Sequence, residues 1–210
     1  MKTNKSTEKI SLIHDIDTPA VIVDLKIVKE NINTYQKYCD DIGITLRPHI
    51  KTHKIPALAK IQVRAGAVGI TAQKISEAEA MISEGGIDDV LITYNIIGEQ
   101  KLKALLHLAN KVKVSVVADS LFCIEGLSKT FKEAENPLSV LVECDTGAKR
   151  CGVISPQLAC ELAELIDRSP GLIFEGLMTY PPTSQALSLI HISEPTRRRG
   201  SSYAVFCLKK

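Results

Sequence analysis

The sequence predicts an α/β protein whose parallel β-sheet is covered by helices. From residue 44 onward, apolar segments of strand length alternate with helical segments, and the connections between them are short. Most of the expected strands are near-continuous apolar runs, which is typical of parallel strands that are buried on both faces. The repeat of about 23–30 residues has the length of a strand plus its crossover helix.

Turn and cap residues delimit the first elements. Residues 17–19 (Asp-Thr-Pro) predict a turn before a short strand at 20–23, and Asp24 has the form of a helix N-cap. Apolar residues at helical spacing then continue to Gly43, which is expected to end the helix. Residues 44–50 alternate apolar and polar side chains, so we expect a strand there.

The later elements repeat the strand–helix unit. Pro56 begins the second helix, and Asp119 and Ser120 are expected to cap a helix that continues to about residue 135. Ser155-Pro156 has the cap-then-proline form of a helix start. The six strands expected in this repeat are 44–50, 67–72, 89–94, 112–118, 138–144 and 172–180.

Two ways of closing such a sheet compete, a doubly wound open sheet and a (β/α)8 barrel. The phosphate-binding fingerprint G-x-G-x-x-G is absent, which disfavours a dinucleotide-binding open sheet. Six strand–helix units cannot close a barrel of eight strands. If the domain is a barrel, about two strands are missing from this chain.

Composition excludes several function classes. Aromatic residues make up only 4% of the chain and Trp is absent, which argues against a base-stacking nucleic-acid surface. No apolar run reaches the roughly 18 residues of a membrane span, and residues 1–9 lack the apolar core of a secretory signal. The six cysteines show no C-x-x-C spacing and are expected to be reduced thiols. We therefore expect a cytoplasmic protein without nucleic-acid or membrane partners.

Residues 187–210 do not follow the strand–helix pattern. Residues 187–197 and 203–209 back-translate without mismatch to the two parts of a transposase-type sequencing adapter, whereas Ser201 departs from it. The segment has five basic residues and one acidic residue, so the chain without it changes from a net charge of +2 to −2. We expect a partial barrel domain at 1–186 and a non-native tail at 187–210, with a natural basic tail as the alternative.

The segment 47–54 (Arg-Pro-His-Ile-Lys-Thr-His-Lys) is the strongest candidate for chemistry. It contains five side chains that can be cationic, and it lies at the end of an expected strand, where barrels place their active sites. Lys51 could act as a nucleophile if partial burial or the cations of Arg47, His49, His53 and Lys54 kept its amine neutral. Taken alone, the segment also fits an exposed lysine in a basic loop.

Five motifs occur in the order and spacing of a known enzyme family, at residues 17–20, 48–54, 69–73, 143–153 and 176–181. With them, the chain from about residue 17 to 183 resembles the D-threonine aldolase and D-serine dehydratase-like family of alanine-racemase-type (fold type III) pyridoxal phosphate (PLP) enzymes. The Pro-His-x-Lys-Thr-His-Lys motif at 48–54 is the most specific. The resemblance implies a (β/α)8 barrel, incomplete here, followed by a mainly β C-terminal domain that this chain lacks. It also implies a homodimer for the full-length parent.

The resemblance also implies roles for individual residues. Lys51 corresponds to the lysine that forms a Schiff base with PLP. From its spacing alone, two residues away on the expected strand, His49 is expected to tune Lys51, with a hydrogen-bonded structural histidine as the alternative. Gln73 and Arg150 correspond to cofactor contacts, and Arg150 also suits a substrate carboxylate. Tyr180 matches a position near the cofactor ring. The alternatives are a polar helix-entry residue for Gln73, a surface arginine for Arg150 and a core aromatic for Tyr180.

The function implied is a PLP-dependent lyase for D-β-hydroxy amino acids. An aldolase would cleave Cα–Cβ, and a dehydratase would remove the α-proton and expel the β-hydroxyl. The alternatives are an amino-acid racemase of the same fold, a non-enzymatic PLP-binding homeostasis protein and a barrel without cofactor. A divalent metal is implied for the full-length parent only, because residues 1–186 contain no cluster with ligand spacing. This chain alone is expected to be insoluble or inactive, since two apolar sheet edges would stay open.

Overall fold

The computed structural model describes residues 16–181 and the backbone of 206–208. Its six-stranded sheet has the order β1-β2-β3-β4-β5-β6, and neighbouring strands from β1 to β5 are parallel. The strands are β1 (Ile70–Ala72), β2 (Asp89–Ile92), β3 (Lys113–Ala118), β4 (Leu138–Cys144), β5 (Leu172–Thr179) and β6 (Phe206–Leu208). Because the order of the parallel strands never reverses, the sheet is the wall of an incomplete barrel rather than a doubly wound sheet.

Helices connect the parallel strands, and two predicted caps are confirmed. The helices are α1 (Leu25–Asp41), α2 (Pro56–Arg64), α3 (Ile75–Ile82), α4 (Glu99–Ala109), α5 (Leu121–Phe131) and α6 (Pro156–Arg168). The Asp24 carboxylate accepts from two first-turn amides of α1, and the Ser155 hydroxyl accepts from the Leu158 amide at 3.1 Å. Helix α5 ends at Phe131, earlier than predicted, and its N-cap Ser120 makes no side-chain capping bond.

Two predicted strands do not form. Residues 20–23 adopt no regular structure, and Val21 is 96% exposed, because an apolar run becomes a strand only where a neighbouring strand offers a partner. Residues 44–50 run beside β1 without forming a regular strand: His49 bridges to Thr71, the Val68 amide donates to the Leu46 carbonyl at 3.0 Å and the Thr71 amide donates to the Pro48 carbonyl at 2.8 Å. Pro48 lacks an amide hydrogen, and the chain turns into a 3-10 helix at Ile50–Thr52, so the hydrogen bonding stays irregular and ends there.

Buried side chains pack on both faces of the sheet. The larger cluster fills the space between strands and helices and includes Val116, Val140 and Phe131. The smaller cluster consists of Leu91, Val117, Leu141 and Met178. Since Val117 and Leu141 alternate with Val116 and Val140 along their strands, the smaller cluster lies on the opposite face, which is the barrel interior. Burial on both faces explains the near-continuous apolar runs.

The pairing of β4 with β5 contains a register shift of one residue. Val140 pairs with Phe174, whereas Leu141, the next residue of β4, pairs with Gly176. Glu175 is therefore the extra residue of β5, as in a β-bulge.

The segment 187–210 contributes one element that the strand–helix pattern does not include. Residues Phe206–Leu208 pair antiparallel with Leu177–Thr179 of β5. The other residues of the predicted non-native tail lie outside the described part of the chain, so its origin stays a prediction. Within residues 16–181 and 206–208, we find no helix with the length and apolar character that crossing a bilayer requires.

Candidate active site

The carboxyl ends of the parallel strands form one rim, and the five predicted site residues lie there together. The predicted residues His49, Lys51, Gln73, Arg150 and Tyr180 line one cavity of about 240 Å³. The rest of the lining is Thr93, Tyr94, Cys151 and Met178. Parallel strands bring their carboxyl ends to the same edge, which is why residues so distant in sequence meet here.

Lys51 lies in the 3-10 turn Ile50–Thr52 and not on an extended strand as predicted. Ile50 is fully buried and anchors the turn. The Lys51 backbone amide donates to Nδ1 of His49 at 3.2 Å. The Lys51 side chain is directed into the cavity, with Nζ 5.6 Å from the centroid of the Tyr180 ring. The turn thus replaces the strand geometry as the reason why His49 and Lys51 share one cavity.

His49 is a neutral neighbour of the lysine. Burial lowers the pKa of His49 to about 4, and the nearby Lys51 charge acts in the same direction. Because Nδ1 accepts the Lys51 amide, the ring proton of the neutral form is on Nε2. Burial also lowers the pKa of His53. The expectation that these histidines place positive charge around Lys51 is therefore wrong at neutral pH.

The other cations of the basic segment are paired with carboxylates. Arg47 Nη1 lies 2.6 Å from Asp89 Oδ1, at the amino end of β2 and therefore far from the rim. Lys54 Nζ lies 3.0 Å from Glu77 Oε1. The cationic cluster that the sequence suggested around Lys51 is thus divided between separate partners.

Arg150 is the cation that shares an aromatic contact with Lys51. Its guanidinium carbon lies 4.2 Å from the centroid of the Tyr180 ring, within cation–π range. Its Nη2 lies 3.8 Å from Oε1 of Glu143. Both cations therefore meet the ring of Tyr180, which places the nucleophilic amine and the guanidinium at one cavity wall.

Glu143 is a buried neighbour of Arg150 that the sequence analysis did not single out, and it lies behind the residues that line the cavity. It lies near the end of β4, pairs in register with Met178 and is only 3% exposed. Burial raises the pKa of Glu143 to about 7, while Arg150 opposes the rise and Asp119 adds to it. A signal was present, since Glu143 is the charged residue in an otherwise apolar strand.

Gln73 is exposed at the end of β1, and its backbone amide donates to Glu77 Oε2 at 3.1 Å. Burial alone would raise the pKa of Glu77, but the hydrogen bonds from Lys54 and Gln73 hold it below its usual value.

Among residues 16–181, no group of three or more His, Cys, Asp or Glu side chains is placed to hold a metal ion. The cavity presents amine, guanidinium, imidazole, amide, hydroxyl, thiol and aromatic groups.

Comparisons with known proteins connect this geometry to a family. The sequence profile of the alanine racemase N-terminal domain matches residues 23–199. A D-threonine aldolase of Arthrobacter sp is 38% identical over 165 residues, which are 79% of this chain and 43% of that protein. A D-threo-3-hydroxyaspartate dehydratase of Delftia sp. (strain HT23) is 30% identical over 175 residues, 82% of this chain and 45% of that protein.

A solved structure agrees with the sequence comparisons. The crystal structure of D-threonine aldolase from Filomicrobium marinum matches with a TM-score of 0.76 and 40% identity, over 79% of this chain and 44% of that chain. The chain thus spans less than half the length of these relatives. The resemblance inferred from the motifs is confirmed, and the chain belongs to the alanine racemase N-terminal domain family.

Proposed function

We propose that the protein carrying this chain is a PLP-dependent lyase that acts on D-β-hydroxy amino acids. The reaction class comes from the relatives, which are named as an aldolase and a dehydratase. The observation that supports it most is the convergence of Lys51, Arg150 and Tyr180 at one cavity, from three separate segments of the chain.

The residues around the cavity fit PLP. Lys51 supplies the primary amine that PLP enzymes require, and Arg150 presents planar donors that match a phosphate or carboxylate. The ring of Tyr180 offers a flat surface for a heteroaromatic ring, and Gln73 adds an amide. When bound, PLP supplies an electron sink that stabilises a carbanion at the substrate Cα. We propose that Lys51, Gln73, Arg150 and Tyr180 hold the cofactor.

The residues of the chain have distinct tasks in this proposal. His49 Nδ1 accepts the Lys51 amide and so orients the turn that carries the amine. Because burial keeps His49 neutral, it does so without adding positive charge beside Lys51. Arg150 provides the charge that binds an anionic group. Glu143, whose pKa is about 7, can hold a proton on its carboxyl beneath the Arg150 guanidinium.

The Lys51 assignment is tested by absorbance and mass spectrometry. We expect the purified protein to show the absorbance of lysine-bound PLP, and borohydride reduction to fix the pyridoxyl group on the peptide that contains Lys51. Lys51→Ala should lose both signals. Lys60→Ala is the matched control, because the Lys60 side chain is largely covered and lies outside the cavity. Persistence of the bound-PLP band in Lys51→Ala would contradict the assignment.

Product analysis separates the reactions that the cavity could support. An aldolase converts D-threonine to glycine and acetaldehyde, a dehydratase converts D-serine to pyruvate and ammonia, and a racemase yields the L-amino acid. Each substrate should be assayed with and without divalent metal, because we propose a metal for the full-length protein. Tight PLP binding without any turnover of these substrates would favour the homeostasis protein.

We further propose that the full-length protein is a homodimer, as the family resemblance implies, and that it is cytoplasmic, as the sequence predicts. Sedimentation velocity of the full-length protein measures its mass, and a monomer at assay concentration would contradict the dimer. Fractionation of the source cells tests the location.

A further inference from the structure

The loop that carries Arg150 is tied to the neighbouring strand by a side chain with no assigned role. Asp119 is the first residue after β3, and its Oδ2 accepts a hydrogen bond from the backbone amide of Gly152 at 3.1 Å. The sequence predicts Asp119 as part of the cap of α5. The structure instead has Ser120 at the N-cap position, and the Asp119 carboxylate reaches sideways to the loop after β4.

Gly152 is the point at which this loop presses against the end of β4. Its φ of +100° lies in the region that favours glycine, and an added Cβ would come within 2.7 Å of the Asp145 amide nitrogen. Immediately after it, the Val153 amide donates to the Glu143 carbonyl at 2.9 Å, and the Val153 carbonyl accepts from the Asp145 amide at 2.9 Å. The loop is therefore closed at its base, directly beside Gly152.

The other end of the loop is held from within. The Asp145 side chain accepts from the Gly147 amide at 2.8 Å and from the Lys149 amide at 3.1 Å. Arg150 thus lies between a segment ordered by Asp145 and a glycine held by Asp119. Only Cys151 separates Arg150 from that glycine, so a shift of Gly152 would move the guanidinium relative to the Tyr180 ring.

We propose that Asp119 is a positioning residue. By holding the Gly152 amide, it fixes the base of the 145–152 loop so that the Arg150 guanidinium stays against the ring of Tyr180. Asp119 itself is not among the residues that line the cavity, so it acts through Arg150 and not on a ligand. Its effect on PLP binding rests on the proposed function, whereas its effect on the loop does not.

Amide exchange of Gly152, measured by NMR in the whole chain, tests the loop. We expect Asp119→Ala to accelerate this exchange by about tenfold or more, because an amide loses a charge-assisted hydrogen bond. Asp119→Asn keeps an acceptor oxygen and should stay within about threefold of the unchanged protein. Asp167→Ala, on the exposed face of α6, is the control and should leave the exchange of Gly152 as it is.

Unchanged exchange of Gly152 in Asp119→Ala would overturn the proposal. If Asp119→Ala does not fold by circular dichroism, Asp119→Ser takes its place, because its hydroxyl is polar but too short to span to the amide. Accelerated exchange of Gly152 in Asp119→Ser, with Asp119→Asn unchanged, would then support the proposal.

A double-mutant cycle tests the route through Arg150. We expect Asp119→Ala to weaken PLP affinity about tenfold when Arg150 is present, and by less than about twofold in the Arg150→Ala background. Equal factors in both backgrounds would show that Asp119 does not act through Arg150. If the unchanged protein binds no PLP, the proposed function fails, and the Gly152 exchange still decides the role of Asp119.

Discussion

Charged side chains have different partners at the two ends of the barrel interior. At the amino ends of the strands, Asp89 lies between Arg47, at 2.6 Å, and Lys113, at 3.4 Å. Lys113 also lies 3.5 Å from Glu175, which accepts a hydrogen bond from Ser115 at 2.6 Å. At the carboxyl ends, Lys51 and Arg150 contact one aromatic ring, and the carboxylate of Glu143 is 3.8 Å from Arg150. The ion pair of Lys54 with Glu77, at 3.0 Å, lies beside Gln73.

The difference separates stability from ligand binding. At the amino end, positive and negative side chains alternate and compensate one another, so that end is suited to closing the barrel floor. At the carboxyl end, cations are placed on a ring beside a cavity, which favours an anionic ligand. Both ends contain charged residues on the same interior face, so residue type alone does not distinguish them. Their partners do.

The largest expected effect is at the amino end. Asp89→Ala leaves Arg47 and Lys113 without this carboxylate and should lower the free energy of unfolding by about 2–3 kcal/mol, since breaking a partly buried ion pair leaves an uncompensated charge. Urea unfolding followed by circular dichroism measures it. Asp88→Ala changes the exposed neighbour and should cost little. Equal losses for both variants would contradict the assignment of the floor.

The carboxyl end should respond to pH through Glu143. Its pKa is about 7 in the folded protein, above the usual 4.5, so its contribution to stability is complete below pH 4.5 and is lost as the pH rises through 7. Glu143→Gln should therefore stabilise the protein by about 1–3 kcal/mol more at pH 8 than at pH 4.5. Urea midpoints at the two pH values give this difference. The same change at both pH values would show that burial does not shift this carboxyl.

Arg150→Met should weaken binding without weakening the fold. We expect PLP affinity to fall about tenfold, because the variant removes a charge at the cavity, while the free energy of unfolding changes by less than about 1 kcal/mol. Fluorescence titration with PLP and urea unfolding measure the two quantities. Arg168→Met, at the end of α6, controls for loss of a surface charge. A stability loss comparable to that of Asp89→Ala would remove the distinction between the two ends.

The smallest expected effect concerns His49. Its folded pKa of about 4 lies below the usual 6.5, so the unfolded chain takes up the proton first. The stabilisation that comes from keeping His49 neutral is complete above pH 6.5 and is lost as the pH falls toward 4. The free energy of unfolding should fall by about 1 kcal/mol or more over this range. His49→Asn should remove this part of the acid sensitivity in urea unfolding between pH 7 and pH 4.5. An unchanged acid slope would contradict the assignment.

The sequence was sufficient for most helices and strands because their signals are local, whereas the barrel closure was implied by the family resemblance. Apolar runs, Pro56 and Ser155-Pro156 predict strand and helix positions without reference to the rest of the chain. The prediction of a regular strand at 44–50 was wrong because the chain enters a 3-10 turn at Ile50, where this side chain is buried in the core. Local alternation of side chains cannot register such a contact.

The sequence predicted which residues belong to the site, but it could not predict which of their side chains contact one another. The motifs identified Lys51, Arg150 and Tyr180, but the division of the basic segment depends on Asp89, which lies one strand away. Glu143 and Asp119 were missed because their directions follow from strand register, which the sequence does not state. Charged residues at the ends of apolar runs are the signal that could have found them.

The extra residue in β5 connects the two ends of the barrel. The extra residue itself, Glu175, reaches Ser115 on the inner face, and beyond it the even-numbered Met178 lies on the same face. One inserted residue thus changes the phase of the strand, so that a floor carboxylate and a rim aromatic, Tyr180, can belong to the same face. With a strict two-residue alternation, Glu175 and Tyr180 would face opposite sides of the sheet, so the strand could not supply both a floor carboxylate and a rim aromatic to the barrel interior.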